Sequence, residues 1–402
     1  MVRIPVFPAS RLIFYSQLKT LTLKRYISTL GNKSHSRIMV TSGKLAGIKD
    51  IAQALKVSIG TVDRALHGRP GVSLKTKARV LKMAEQMGYS PNLAAQALKL
   101  NRHLSIAAIL PKHISHFFDP LRAGIRAAAA ATVGMNIRLE FHEYPRLGVG
   151  DIEAFEVASR RHYDGIIFLP GNTRRFDPLI RRLSRAGTAM MCVGSDAPNS
   201  ERIGSVAAHA AISGAMVAEL LSYKLNRKAL VATFTGDLTT LDHAEKLRGF
   251  AATLAVQAPH LTLLPALEGH ESPKEAYRQA LALMGSKPHP EGLYLSTANS
   301  TPVLKALEEL DLLGEVQVVT TDLFQEIVPL IETGKVLATI YQRPFTQGKL
   351  AFESLLKCLL EGGRPQPIVR LAPHVIFRSN LSLFSNQIAN SDEELETELQ
   401  QI

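Results

Sequence analysis

Apolar residues recur along residues 48–87 at the spacing of helical faces. Ile48, Ile51, Ala52 and Leu55 make one stripe that stops at Val57-Ser58, and Val62, Ala65 and Leu66 make a second that ends at "GRPG", residues 68–71. Ser58 is placed to cap the first amides of the second segment. A third helix is predicted from a Ser73 cap, with Thr76, Val80, Met83, Ala84 and Met87 facing inward. Its Lys75, Lys77, Arg79 and Lys82 face solvent, and Gly88 is a left-handed terminator. Two short helices across so tight a turn, with Val57 as the apolar plug between them, predict a helix-turn-helix.

From Leu104 the texture changes. "LSIAAILP", "NIRLEFHEY", "DGIIFLP", "AMMCVGS", "IGSVAA", "KALVATFTG", "GLYLST" and "VQVVTTD" read as buried strands separated by longer helical stretches. Strand–helix alternation predicts doubly wound parallel sheets. The length of this region exceeds one tidy sheet, so two similar α/β lobes with a cleft between them are expected.

The charge is placed unevenly. The 402 residues carry a formal net +12, but residues 1–44 hold eight Lys/Arg and no acid, and residues 45–103 hold ten against Asp50, Asp63 and Glu85. The remainder is slightly acidic, so polyanion binding is an N-terminal property. A helix bundle with a solvated basic face is the plain alternative. Residues 1–44 are basic and rich in Ser and Thr, and three readings stay open: a disordered arm or non-native sequence upstream of a start at Met39, a DNA-contacting arm, or a transit peptide. Cys192 and Cys358 stand alone, which predicts neither disulfides nor a thiolate metal site and fits a reducing compartment. No apolar run has the length of a membrane span, so no membrane partner is expected.

"IKDIAQALKVSIGTVDRAL", "GVSLKTKARVLKMAEQMGYSPN" and "AAQALK" together resemble the headpiece and hinge of the LacI/GalR family of bacterial transcription repressors, nearly without gaps from Ile48 to about Ile109. The resemblance implies a second helix lying in the major groove and a hinge segment that folds on DNA, wedging Leu98 into the minor groove with Asn92, Ala95 and Gln96 around it. Asn92–Lys99 is too short for a stable helix in water, so it needs a partner. An ordinary linker helix packing Leu93 and Leu98 is the alternative. The reading helix departs from the family at Ile59 and Gly60, while Thr61 and Arg64 stay in place for phosphate and base contact. Ile59 suits a thymine methyl, and Gly60 permits close approach without offering a donor. Lys49, Ser58, Thr61 and Lys75 are candidate phosphate contacts.

The region from Leu104 to Phe384 resembles the periplasmic-binding-protein type I fold that this family shares with sugar-binding proteins. Ligands in such sheets bind outside the carboxyl ends of the strands, and the resemblance places contacts at polar clusters there. In "SHFFDPLRAG", Phe117 and Phe118 are candidates to stack on a sugar ring, with Asp119 beside them. "GNT" offers Asn172 and "GSDAPNSER" offers Asp196 and Arg202. "GDLTTLDHAEKLRGF" offers His243 and Lys246, "LSTANS" Asn299, "VVTTDLF" Asp322 and "ATIYQRPFTQG" Gln342. Carboxylates and amides with an aromatic platform favour a polyol over a flat heterocycle. Lys246 stands where Arg is usual, which weakens a bidentate contact and leaves room for an acidic or phosphorylated sugar.

The expected organisation is an N-terminal extension (1–44), a helix-turn-helix domain (45–90), a hinge (91–103), an effector-binding and dimerisation domain (104–386) and an acidic tail (387–402). The N-lobe is expected over about 104–207 and 343–370, the C-lobe over about 208–342 and 371–386. There is no G-x-S-x-G elbow, P-loop, H-E-x-x-H or paired Cys, so catalysis has no support; no cofactor and no metal are expected. His113 and His116 have metal-like spacing but are predicted in a loop at the cleft mouth. The expected partners are a palindromic double-stranded DNA operator, a carbohydrate-like effector and a second copy of the chain, paired through outer helices around residues 207–225 and 348–360. A bacterial cytoplasmic, nucleoid-associated location follows. The alternatives are a purine- or other non-sugar-responsive regulator, and a ligand-binding protein with a degenerate headpiece.

Overall fold

In the computed structural model the described residues are 47–66, 69–87, 103–132, 134–363 and 365–384. They belong to two compact units, divided between Pro91 and Asn92.

The first unit is three helices, α1 (Ile48–Leu55), α2 (Ile59–Leu66) and α3 (Leu74–Gln86). Ile51, Ala52, Val62, Ala65, Val80 and Ala84 close its core, with Val57 packed against them. Lys56 turns the chain out of α1 in the left-handed region, at φ 53°, and its N–H returns to the carbonyls of Ala52 and Gln53. Ser58 Oγ then accepts the Thr61 amide at 3.1 Å, and Ser73 Oγ does the same for Thr76 at 3.2 Å. Both serine caps sit where the sequence puts them.

The second unit holds two sheets. The first contains β1 (His103–Pro111), β2 (Asn136–Tyr144), β3 (Gly165–Phe168), β4 (Ala189–Val193), β5 (Gly204–Ala208) and β12 (Ile368–Leu371), in the order β12-β5-β4-β3-β1-β2, all parallel. The second contains β6 (Ala229–Thr235), β7 (Leu261–Leu263), β9 (Gly292–Leu295), β10 (Gln317–Thr321), β11 (Ala338–Tyr341) and β13 (His374–Ile376), in the order β13-β11-β10-β9-β6-β7; β8 (Leu267–Glu268) also pairs with β6. Only β13 runs antiparallel there. Leaving out the β12 and β13 edges, the two sheets share one winding order. The chain passes from one sheet to the other three times, after β5, after β11 and after β12. Strands β7, β8, β11, β12 and β13 have no counterpart in the apolar runs read from the sequence; all have four residues or fewer.

Helices cover both faces of each sheet. In the first lobe α4 (Ser115–Ala130) packs on α12 (Pro344–Leu360), and in the second α7 (Ala210–Lys224) packs on α8 (Leu241–Gln257). Both pairs meet backbone to backbone. A Cβ at Gly348 would lie 2.0 Å from the Leu121 carbonyl oxygen, and one at Gly214 would lie 1.9 Å from that of Lys246. Among the described residues no helix is long and apolar enough to cross a membrane.

Candidate functional sites

On the headpiece, α2 presents one side away from the core. Ile59 is 51% exposed, and Lys49, Ser58, Gly60, Arg64 and Lys75 are also exposed. Thr61 is half-buried, its Oγ1 bonded to Ser58 Oγ at 2.8 Å. The Arg64 guanidinium lies over Gly60, where an added Cβ would be 3.6 Å from Nη2, and over Gly71, where it would be 3.6 Å from Nη1. Arg69 pairs with Asp63 at 2.9 Å. Hydroxyls and an exposed apolar group at the start of α2, Arg64 in its last turn and Lys49 and Lys75 on the neighbouring helices make a surface that suits phosphate and base-edge contact. Asn92, Ala95, Gln96 and Leu98 lie outside the described residues.

In the second unit the carboxyl ends of both sheets line a cavity that opens to solvent, with about 420 Å³ of free space when its open mouth is included. It sits over the two places where winding reverses, beside β1 and beside β6, as expected for doubly wound sheets. Its two walls differ. Ile114, Phe117, Phe118, Leu147 and Leu169 of the first lobe are apolar, and Phe117 and Phe118 meet edge to face with centroids 4.9 Å apart. Thr240, Asp242, His243, Lys246, Glu271, Thr297 and Gln342 of the second lobe are polar.

The polar wall is built from two pairs, Asp242–Lys246 within the first turns of α8 and His243 of α8 with Glu271 from a loop. Lys246, 1% exposed, places Nζ 2.6 Å from Asp242 Oδ2 one turn earlier. An ammonium buried this deeply costs several kcal/mol in lost hydration, which the adjacent carboxylate offsets. Asp242 Oδ1 is buried and has no hydrogen-bond partner. His243 Nε2 lies 3.4 Å from Glu271 Oε1, and Thr297 Oγ1 donates to the same carboxylate at 2.8–2.9 Å. Gly236 makes this pair possible: a Cβ there would lie 2.1 Å from His243 Cε1 and 2.2 Å from Glu271 Oε1. Behind the wall, Asp322 accepts the Gln342 amide N–H at 3.1 Å and its side-chain N–H at 2.7 Å. Burial raises the Asp322 carboxyl to about 6, against the opposing pull of Lys246 and the Gln342 bonds.

Three contacts join the lobes around the cavity. His116 Nε2 lies 2.9 Å from the Ala298 carbonyl, and its ring stacks on Phe324 at 4.3 Å. Burial lowers its pKa, so the neutral ring donates here. Ser195 Oγ accepts the Asp242 amide at 3.3 Å, and Arg146 Nη1 donates to the His270 carbonyl at 2.6 Å. His116 is the second residue of α4, which corrects its placement in a loop.

Of the effector residues predicted from sequence, Phe117, Phe118, His243, Lys246 and Gln342 line the cavity, and Asp322 backs it through Gln342. Five do not line it. Asp119 pairs with Arg122 beside α4. Asn172 caps α6 (Thr173–Arg185), accepting the amides of Arg174 and Arg175 at 3.1 and 3.3 Å. Asp196 is locked between Arg202 and Arg370, and although burial opposes it, these two guanidinium groups hold its carboxyl below the usual range. Arg202 is thereby committed as well. Asn299 is buried, its amide on Thr297 Oγ1 at 3.2 Å. The sequence reading missed Asp242, Glu271, Thr297, Ser195 and Thr240. Asp242 was within reach, because Asp and Lys four residues apart at a helix start are neighbours.

At the rim, Asp237, Glu268 and His270 bring three possible metal-ligating atoms within 4.8 Å. Their carboxylates already serve the turn: Asp237 Oδ1 accepts from Thr239 at 2.7 Å, and Glu268 Oε2 from the Leu238 amide at 2.8 Å.

A helix-turn-helix unit followed by a two-lobed α/β unit with a cleft between its sheets is the architecture of a helix-turn-helix headpiece joined to a two-lobed binding-protein-like domain. Residues 47–92 match bacterial regulatory proteins of the lacI family, and residues 106–363 match the periplasmic binding protein domain. By its larger part the chain belongs to the periplasmic binding protein domain family, and it carries a headpiece that matches the lacI family of bacterial regulatory proteins. It is 31% identical over 126 residues to the probable HTH-type transcriptional repressor ExuR of Bacillus subtilis, covering 30% of this chain and 35% of that one. It is 23% identical to the HTH-type transcriptional repressor PurR of Aliivibrio fischeri, covering 84% of this chain and 99% of the relative. The chain thus spans about a third of the length of ExuR and nearly all of PurR. An ABC transporter solute-binding protein from Agrobacterium vitis, bound with α-D-tagatopyranose, superposes with a TM-score of 0.64 at 19% identity, covering 71% of this chain and 98% of that one. At that identity the likeness speaks for the fold.

Proposed function

We propose that the chain is a repressor whose affinity for a palindromic DNA operator is set by a small polyhydroxy effector held between the two lobes. The observation that carries this reading is the pairing, in one chain, of an exposed helix bearing Arg64 with a cleft between the lobes that has one aromatic wall and one hydrogen-bonding wall. Such a cavity matches a sugar-like molecule, whose ring faces are apolar and whose edge carries hydroxyls. Effector binding favours one arrangement of the lobes, and a coupling of order 1 to 3 kcal/mol is enough to change operator occupancy. A homodimer supplies two headpieces and thus the two-fold symmetry of the operator. The protein acts in the bacterial cytoplasm and catalyses nothing.

Selection of bound sequences from randomised DNA, with and without a stabilising ligand, tests this. It is expected to return a palindrome of roughly 14 to 20 base pairs, two major-groove half-sites about one helical turn apart, with enrichment that changes on adding ligand. Salt-dependent binding with no preferred sequence would instead mark a headpiece that has lost its operator, in keeping with Gly60 offering no donor.

A further inference from the structure

We infer that the cleft takes an uncharged polyhydroxy ligand and rejects the anionic counterparts of the same sugar, uronates and sugar phosphates among them. This rests on the sugar-cleft reading above and deepens it. Lysine at position 246, taken by itself, invites the opposite conclusion, since a free ammonium in a cleft is an anion site. The structure removes that invitation: Nζ is held by Asp242 Oδ2 at 2.6 Å, and Asp242 is itself on the cavity wall.

The rest of the wall points the same way. His243 Nδ1 faces the Asp237 carbonyl at 3.1 Å, an acceptor only, so Nδ1 carries a proton. Its Nε2 faces Glu271, so any charge on this ring is already compensated. Asp322 adds a third carboxyl directly behind Gln342. Two basic groups therefore stand against three carboxyls, and no cation on the wall is uncompensated. Arg146, beside Leu147, does not line the cavity, and its Nη1 donates to the His270 carbonyl. An incoming carboxylate or phosphate would meet like charge at low dielectric and no free counter-ion, which is unfavourable.

A second, independent observation indicates what is welcome. Asp242 Oδ1 is buried on the wall without a donor, and an unmatched buried acceptor is costly until one arrives. A ligand hydroxyl placed there supplies that donor, whereas an ionised carboxylate or phosphate group at the same spot cannot. The apolar wall of Phe117 and Phe118 then covers the ring face.

The test is thermal-shift and calorimetric titration of the full chain with matched pairs near neutral pH: galactose and galacturonate, glucose with glucuronate and glucose 6-phosphate, ribose and ribose 5-phosphate, with myo-inositol and a set of nucleobases alongside. The expected result is that a neutral polyol binds and its anionic partner binds at least about tenfold more weakly. Asp242→Asn, which frees Lys246 from its counter-ion, is expected to reduce that ratio to about threefold or less while weakening the neutral sugar. Anionic members binding as tightly as neutral ones, or more tightly, overturn the inference and leave the sugar cleft standing. Stabilisation by a nucleobase and by no polyol removes the sugar reading and the inference with it. The wild-type pairs decide the matter even where the variant folds poorly.

Discussion

The two lobes share a strand order, a glycine-seamed helix pair and a position at the cleft, yet their walls are chemically opposite. In the first lobe Asp196 lies between two arginines and Asn172 caps a helix start, while His116, Ser195 and Arg146 reach across to the other lobe and side chains such as Phe117, Phe118 and Leu169 face the cavity. The second lobe buries Lys246, His243 and Glu271, with Asp242 half-buried beside them, at the surface of the cavity itself. The same winding thus serves two ends: one lobe gives shape and dryness, the other direction and charge. A ligand held by such a pair must itself have two kinds of surface.

Removing the buried charge should produce the largest effect. Lys246→Met leaves Asp242, and the Asp322 carboxyl behind it, without their cation, and is expected to cost about 3–5 kcal/mol in urea unfolding of the larger unit. A cost under about 1 kcal/mol would mean that the second lobe is not electrostatically distinct. Next come the seams that the lobes have in common. Gly214→Ala and Gly348→Ala both drive a methyl into backbone that cannot rotate aside, and each should cost about 3 kcal/mol or more. Equal losses in the two variants would show the seams to be equivalent, and a benign outcome for either would break the symmetry.

Smaller again is the pH term carried by Asp322. Its carboxyl is raised to about 6 by burial, so the folded protein keeps the proton while the unfolded chain releases it. Stability is therefore expected to fall as pH rises from about 4 to about 6, by on the order of 2–3 kcal/mol. Asp322→Asn should flatten that interval, and Asn tolerates the left-handed backbone found here at φ 68°. Denaturation midpoints at several pH values decide it; parallel profiles for the two proteins would contradict the assignment. Least of all should Phe117→Leu matter to folding, at about 1 kcal/mol, with a loss of affinity near tenfold for the ligand that covers it.

The headpiece was legible because everything that defines it is local. Ser58 and Ser73 cap helices within three residues, and the core positions of α1 and α2 follow one periodicity. In the cleft, His243 and Lys246 of "LDHAEK" were named from the resemblance to a binding-protein segment, and they line the cavity. Asp119, Asn172, Asp196 and Arg202 lie off the cavity wall with partners of their own, and the sequence does not show this: a polar side chain near a strand end looks the same whether it caps a helix, closes an ion pair or meets a ligand. What separates these roles is the partner, and for Asp196 one partner is Arg370, 174 residues away. Glu271 was hidden similarly, since its partners His243 and Thr297 come from different strand ends and its own backbone turns left-handed at φ 52°.

Helix α8 begins at Thr240 with no side-chain cap of its own, and the hydroxyl bonded to the Asp242 amide is Ser195, from the opposite lobe. Parting the lobes strips a helix terminus of an acceptor at the very turn that carries the Asp242–Lys246 pair, and water must take over. The receptor domain therefore finishes one of its own secondary-structure elements only by shutting. Loosening at that terminus would register in amide exchange of the Asp242 N–H before any larger movement.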